Sequence, residues 1–308
     1  VTRLTEAARG VFVIAATPFT PDGAVDLPSV DRLVDFYLGH RVHGLTLLGL
    51  MGEAQKLTAD ESLQVVRRVL GRVAGRVPVI VGVSSPGLSP LAALAAASMD
   101  AGAAGVMVAP TPGLRGDTAL FDYMAAVFRV LDPATPVVYQ DYPQSTGVDL
   151  PVALFHRMVD AFPRLVVLKH EDAPGLAKLS QIRHEAQRDG HRRVSVLVGN
   201  GALYYPQELA RGADGAMTGF AYPEMLVEVF ERFTAGDVDA AEDLFDAYLP
   251  LLRMEHQPVI GLAVRKALLH RRGAIAHPAV RAPGPSLTED DQREIERLVN
   301  RLERRLKS

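Results

Sequence analysis

The sequence predicts an α/β chain, a (β/α)8 TIM barrel with a C-terminal three-helix extension, on three observations. Short apolar runs alternate with helix-period segments eight times between residues 10 and 235. After residue 237 the apolar runs stop and helical periodicity continues alone. No Gly-rich dinucleotide fingerprint follows the first run, which disfavours the runner-up, a doubly wound open sheet. The expected units are a barrel over 1–236 and a helical extension over 237–308 packed on it as one compact body.

Residues 1–9 read as an exposed lead-in, and 10–19 as a first strand and turn ending in Thr17-Pro18-Phe19. A helix is expected over 26–40, with Leu33, Val34, Tyr37 and Leu38 on one side. The second strand, 44–49, leads to a helix over 58–73 opened by the capping box Thr58 and Glu61. A third strand at 78–83 precedes a helix at 89–101, and a fourth at 105–109 precedes one at 117–131. The next pairs are 136–140 with 151–162, 165–169 with 175–188, 194–199 with 202–211, and 215–219 with 223–235. The extension reads as helices over 238–252, 258–270 and 288–306, with a Pro/Gly-rich link at 277–285.

Composition excludes several functions. A net charge of −3 over 308 residues gives no electrostatic case for nucleic acid or an anionic membrane. The absence of cysteine rules out disulfides, thiolate metal sites and a cysteine nucleophile. No apolar run spans a bilayer and no signal-peptide pattern is visible, so the expected compartment is the cytosol.

The stretch that carries chemistry is Leu165-Val166-Val167-Leu168-Lys169-His170-Glu171-Asp172. A lysine ending a buried parallel strand is costly unless it faces a polar pocket. A desolvated amine is held less firmly as ammonium, and the neutral form is the nucleophile that Schiff-base chemistry needs. The structural alternative is a lysine that pairs with Glu171 or Asp172 or reaches the barrel rim.

Active sites of such barrels lie at the strand C-termini. That places Gly49, Leu50, Met51 and Gly52 after strand 2, Tyr139, Gln140 and Asp141 at strand 5, Gly199 after strand 7 and Met217 on strand 8. The Gly49–Gly52 turn offers backbone N–H groups to a carboxylate or phosphate. Tyr139 is a candidate proton shuttle, or an aromatic that fills the barrel.

These residues resemble the dihydrodipicolinate synthase/N-acetylneuraminate lyase superfamily of class I Schiff-base aldolases. The resemblance covers nearly the whole chain and rests on five landmarks in register: Thr17-Pro18-Phe19, Gly49-x-x-Gly52-Glu53, Pro143-x-x-Thr146-Gly147, Lys169, and Gly199-Asn200. It implies that Lys169 forms an imine with a 2-oxo acid such as pyruvate or a sugar-acid derivative, with no metal and no cofactor. It also implies a homotetramer built as a dimer of dimers.

Five positions depart from the family pattern. Leu50 and Met51 stand where the family has hydroxyl residues that bind the substrate carboxylate and pass protons. Gln140 falls on the catalytic tyrosine, with Tyr139 one residue earlier. Tyr139 then serves only if a bulge turns it inward, and Tyr142 is the other substitute. Ser145 takes the place of the synthase arginine, and the synthase's second tyrosine aligns near Pro112, where this chain has none. The expected activity is therefore a lyase, aldolase or dehydratase, acting on a 2-oxo acid other than in the authentic synthase reaction. Tyr139, Tyr142, His170, Asp141 and Glu171 are the candidate acid/base groups, with Tyr139 favoured. Two rival readings stand beside it. One is a barrel that binds a 2-oxo acid without turnover; the other is a metal-dependent aldolase or hydrolase using His170, Glu171, Asp172, Glu53 and Asp141.

Overall fold

The computed structural model describes residues 2–307. Eight parallel strands close into a barrel in sequence order, β1 pairing with both β2 and β8. They are β1 (Gly10–Ile14), β2 (Gly44–Leu47), β3 (Val79–Gly82), β4 (Gly105–Val108), β5 (Val137–Asp141), β6 (Leu165–His170), β7 (Ser195–Val198) and β8 (Gly215–Thr218). Every strand residue is buried, which is why the sequence shows continuous apolar runs rather than alternation.

The helices that follow are α1 (Leu27–Gly39), α2 (Ala59–Val73), α3 (Leu88–Asp100), α4 (Gly116–Val130), the short α5 (Pro143–Thr146), α6 (Val152–Ala161), α7 (Leu176–Asp189), α8 (Tyr205–Ala210) and α9 (Pro223–Thr234). Thr58 caps α2 in the reciprocal box with Glu61 that the sequence predicts. The extension is α10 (Val238–Glu255), α11 (Gly261–Arg271) and α12 (Glu289–Arg305). Among the described residues no helix is long and apolar enough to cross a membrane.

Two apolar clusters separate the two faces of the sheet. Leu45, Val106, Tyr139, Leu168 and Val196 point outward and pack with the helices in the larger one. Phe12, Ile14, Ile80, Met107, Val138, Val167, Leu197 and Met217 fill the barrel interior. The N-terminal segment belongs to this second cluster. Leu4 is buried in it, and its amide donates to the Ala104 carbonyl, so the lead-in, otherwise exposed as expected, closes the interior through this one side chain.

The β5–β6 ladder contains one irregularity, between Val137 and Val138. Val137 pairs with Leu165 but Val138 with Val167, leaving Val166 as an extra residue on β6. Beyond it, Tyr139 pairs with Leu168, Gln140 with Lys169 and Asp141 with His170. This register decides which side chains reach the site.

Candidate active site

Lys169 lies on the inward-facing parity of β6, beside Gln140 of β5. It is 4% exposed, and its Nζ lies 2.9 Å from Glu171 Oε2. Gln140 Nε2 donates to the same carboxylate oxygen at 2.7 Å, so the amine and amide converge on one acceptor. The remaining contacts fix where Glu171 sits. Its amide donates to Asp141 O, and its carbonyl accepts from Asn200 Nδ2 at 2.7 Å. Gly199 makes room for the side chain, since a Cβ there would lie 2.1 Å from Glu171 Cγ. Asn200, Gly201 and Ala202 follow with positive φ, a strained turn held at this position. The imidazole of His256, at the end of α10, packs over Gly201.

A cleft of about 310 Å³ opens beside this group, between the loops after β2, β3, β4 and β5. Gln140 forms part of its wall, as do Gly49, Leu50, Met107, Thr111 and Tyr142. Lys169 therefore sits one hydrogen-bonded layer behind the cleft wall, reached by displacing Gln140 or the Glu171 carboxylate. Tyr142 continues the inward parity of β5. Burial, with the Glu171 carboxylate nearby, raises its phenol above the usual range, so it is a protonated donor at neutral pH.

Tyr139 is not part of this arrangement. The irregularity in the ladder precedes it and leaves it on the outward face, fully buried among the barrel–helix apolar residues. Its hydroxyl has no hydrogen-bond partner, and burial pushes its phenol far up. The expectation that a bulge turns Tyr139 toward the lysine is corrected accordingly: the bulge exists, but it preserves rather than reverses the parity at residue 139.

Asp141 is likewise on the outward face. It accepts from Lys178 Nζ at 2.6 Å and lies 3.6 Å from His170 Nδ1, on the side of β6 away from Lys169. Met217 is packed in the barrel interior, outside the cleft lining. The turn after β2 forms a single 3-10 turn, Leu50–Gly52, with Leu50 at the cleft lip and Met51 against the interior cluster. Gly52 O accepts from Thr17 Oγ1 at 2.6 Å, which ties the first two landmarks together.

The donors proposed for a metal do not converge. Glu53 pairs with Lys56 and Lys266, Asp141 and Asp172 with Lys178, and Glu171 with Lys169. Among the described residues no group of three or more such side chains is placed to hold an ion.

Sequence reading names Lys169, Gln140, Gly199, the turn after β2 and, among several acids, Glu171. It gives no signal for His256, because only the fold carries the end of α10 to the barrel mouth.

The family model described as "Dihydrodipicolinate synthetase family" matches residues 7–302. An L-2-keto-3-deoxyarabonate dehydratase from Azospirillum brasilense is 32% identical over 301 residues, 96% of this chain and 94% of that protein. A 4-hydroxy-tetrahydrodipicolinate synthase from Sorangium cellulosum is 35% identical over 303 residues, 96% of each chain. A dihydrodipicolinate synthase structure from Rhodopseudomonas palustris superposes with a TM-score of 0.95 at 45% identity, covering 98% of this chain and 100% of that one. With its closed barrel and its lysine at the end of the sixth strand, the chain belongs to the dihydrodipicolinate synthetase family and is a lyase of the class I, Schiff-base-forming type.

Proposed function

We propose that Lys169 attacks the keto carbon of a 2-oxo acid such as pyruvate, and that Glu171 is the acid/base group of the reaction that follows. The observation that carries this reading is the 2.9 Å contact between Lys169 Nζ and Glu171 Oε2. A carboxylate at that distance is placed to accept the amine proton as the nitrogen attacks. Attack at C2 followed by loss of water gives an iminium, which draws electrons from the neighbouring carbon. Where the acid carries a 4-hydroxyl group, cleavage of its C3–C4 bond leaves the electron pair in an enamine, while Glu171 takes the C4 hydroxyl proton and C4 departs as an aldehyde. Protonation at C3 and hydrolysis by water return the amine.

Tyr142 is a second proton donor, on the cleft side of Glu171. The substrate carboxylate lies against backbone amides of the Gly49–Gly52 turn, since neither Leu50 nor Met51 offers a side-chain donor. Authentic synthase chemistry is disfavoured, because Ser145 stands where the resemblance calls for an arginine. Dehydration is the second reading, favoured by the likeness to the Azospirillum dehydratase: the iminium loses a C3 proton instead of C4, and the resulting enamine expels the C4 hydroxyl as water. The homotetramer and the cytosolic compartment belong to this proposal too, on family resemblance, with light scattering as the check on assembly.

The test is borohydride reduction in the presence of pyruvate and other small 2-oxo acids, read by intact and peptide mass. A stable adduct on Lys169, lost in Lys169→Ala, is expected. A folded protein that gives no adduct with any acid overturns the imine. An adduct without turnover on any aldehyde or hydroxy acid instead supports the non-catalytic binding barrel.

A further inference from the structure

Gln140 and Glu171, the two side chains that meet at Lys169, stand where the β5–β6 ladder ends, at Asp141 and His170. The carboxylate keeps its distance to the amine only if these two segment ends keep theirs. One backbone bond crosses between them, from the Glu171 amide to the Asp141 carbonyl at 2.9 Å. A second link runs through the residues that come next in sequence, Asp141 after Gln140 and Asp172 after Glu171. Lys178 of α7 joins these two: its Nζ donates to Asp141 Oδ2 at 2.6 Å and to Asp172 Oδ2 at 3.0 Å. The contact between Gln140 and Glu171 thus has a counterpart one residue further along each segment.

Lys178 lies in the first turn of α7, where the helix macrodipole disfavours a cation. The two carboxylates explain it there. The Asp141 side chain is fully buried, and its other oxygen has no hydrogen-bond partner among the described residues. A carboxylate so placed depends heavily on the one cation that bonds to it. His170 does not replace that cation, since its Nδ1 lies 3.6 Å from the same oxygen, beyond hydrogen-bond length. Nor is the lysine needed to dock α7. Leu179 and Ile182 already bury in the outer apolar cluster, and His170 Nε2 lies 2.9 Å from the Gly175 carbonyl at the start of the helix. Lys178 adds something else, a charged bridge between the ends of β5 and β6, beside the backbone bond that aims Glu171.

We propose that Lys178 is a positioning residue of this site: by bridging Asp141 and Asp172 it fixes the Glu171 carboxylate against Lys169. This rests on the acid/base role proposed above for Glu171. Without the ammonium, the buried Asp141 carboxylate loses its hydrogen-bonded cation and the end of β5 is no longer tied to the segment after β6. Gln140 and the carbonyl that receives the Glu171 amide move with it. A misplacement of about 1 Å in such a group costs about a hundredfold in rate. The attack of Lys169 on the keto carbon is less exposed to this change. Lys169 lies within the ladder, paired with Gln140 on one side and Leu197 on the other.

Both steps are read with pyruvate alone on the full chain. Borohydride trapping reports the imine. Exchange of the pyruvate methyl protons in D2O, followed by NMR, reports proton transfer: the iminium gives up a C3 proton to the base, and the enamine takes a deuteron back. In Lys178→Met exchange is expected to fall by about tenfold or more, and trapping by no more than about threefold. Lys178→Arg restores a cation able to donate to both carboxylates and is expected to recover most of the exchange. Asp172→Ala removes only the half-buried arm of the bridge and is expected to lower the ratio of exchange to trapping by a smaller factor. It decides the matter if Lys178→Met does not fold. In the folded variant, a fall of both rates by the same factor, or of neither, overturns the positioning role and leaves the reading of Glu171 standing. A parent protein that traps no pyruvate, or traps it without exchange, overturns that reading and the positioning role with it.

Discussion

Glu171 Oε2 lies 2.9 Å from Lys169 Nζ and accepts from Gln140 Nε2 at 2.7 Å, so one carboxylate oxygen orders both residues at the inner wall of the cleft. A pairing of this kind is the ordinary fate of a buried lysine and needs no catalysis. The two roles separate under substitution. Glu171→Gln keeps the shape and a hydrogen-bond acceptor but cannot take a proton at neutral pH. We expect kcat to fall by about 10²- to 10⁴-fold while borohydride trapping of pyruvate persists at a reduced rate. A variant with unchanged kcat would make the carboxylate a structural partner only.

Tyr139→Phe and Tyr142→Phe discriminate between the two tyrosines. The Tyr139 hydroxyl is buried without a partner on the outward face, so removing it takes away an unmet polar group. Such a deletion is expected to be neutral or stabilising by up to about 1 kcal/mol, with kcat within twofold of the parent. Tyr142→Phe removes a donor at the cleft and is expected to lower kcat at least tenfold with little change in melting temperature. Calorimetry and steady-state rates on both variants provide the check, and the reverse pattern would return Tyr139 to the site.

The difference between these tyrosines shows where sequence reading stops. The eight strand–helix units are legible because parallel strands buried on both faces appear as unbroken apolar runs, as in Val79–Gly82 and Leu165–Leu168. Lys169 is legible because a charge directly after such a run is conspicuous. The facing of residue 139 is not, since an extra residue within β5 would have inverted it, whereas the extra residue of this ladder, Val166, lies on β6. The sequence contains no mark of the irregularity between Val137 and Val138. Leu4 hides for another reason: a lone leucine among polar neighbours reads as surface until the barrel floor is built around it.

Gly199 gives a sharper probe of Glu171 than direct substitution. Its φ of −107° lies outside the left-handed region that favours glycine. The added methyl would, however, lie 2.1 Å from Cγ and 2.5 Å from Oε1 of Glu171. Gly199→Ala is therefore expected to displace the carboxylate from Lys169 and Gln140, lowering kcat by about 10²-fold or more with the fold retained. Circular dichroism and kinetics would decide it. Full activity would mean that Glu171 has free space to move into.

On α8, Glu208 is buried with one carboxylate oxygen unpartnered. Burial raises its pKa from 4.5 to about 7, with His170 opposing the rise. The folded state thus holds a proton that the unfolded chain releases near pH 4.5. Since the folded form binds more protons between those values, stability falls as pH rises through about 4.5 to 7, and the penalty is complete above 7. On this shift the penalty is of the order of 3 kcal/mol. Glu208→Gln is expected to stabilise the protein at pH 8 by roughly that order and to do little at pH 4.5. Urea denaturation at the two pH values measures it, and an equal effect at both would rule out titration of Glu208 as the cause.

The last prediction concerns how α11 supports the turn after β2. Lys266 is fully buried, its Nζ 2.5 Å from Glu53 Oε1 and 2.8 Å from the Ala279 carbonyl. Glu53 also receives Lys56 Nζ at 2.8 Å and the Arg281 amide at 3.0 Å on its other oxygen. The two partners of this pair are therefore unequally insured. Lys266→Met leaves Glu53 with Lys56 and an amide, so its cost should sit near the low end of the roughly 3–5 kcal/mol seen when a buried pair is broken. Glu53→Gln leaves the buried ammonium of Lys266 facing only neutral oxygens and should cost more. Because Glu53 directly follows the Gly49–Gly52 turn, it should also raise KM for the 2-oxo acid, whereas Lys266→Met should raise it less. Denaturation midpoints and KM values for the two variants test both parts. If Lys266→Met is the more damaging of the two, the extension supports the turn by packing rather than by charge.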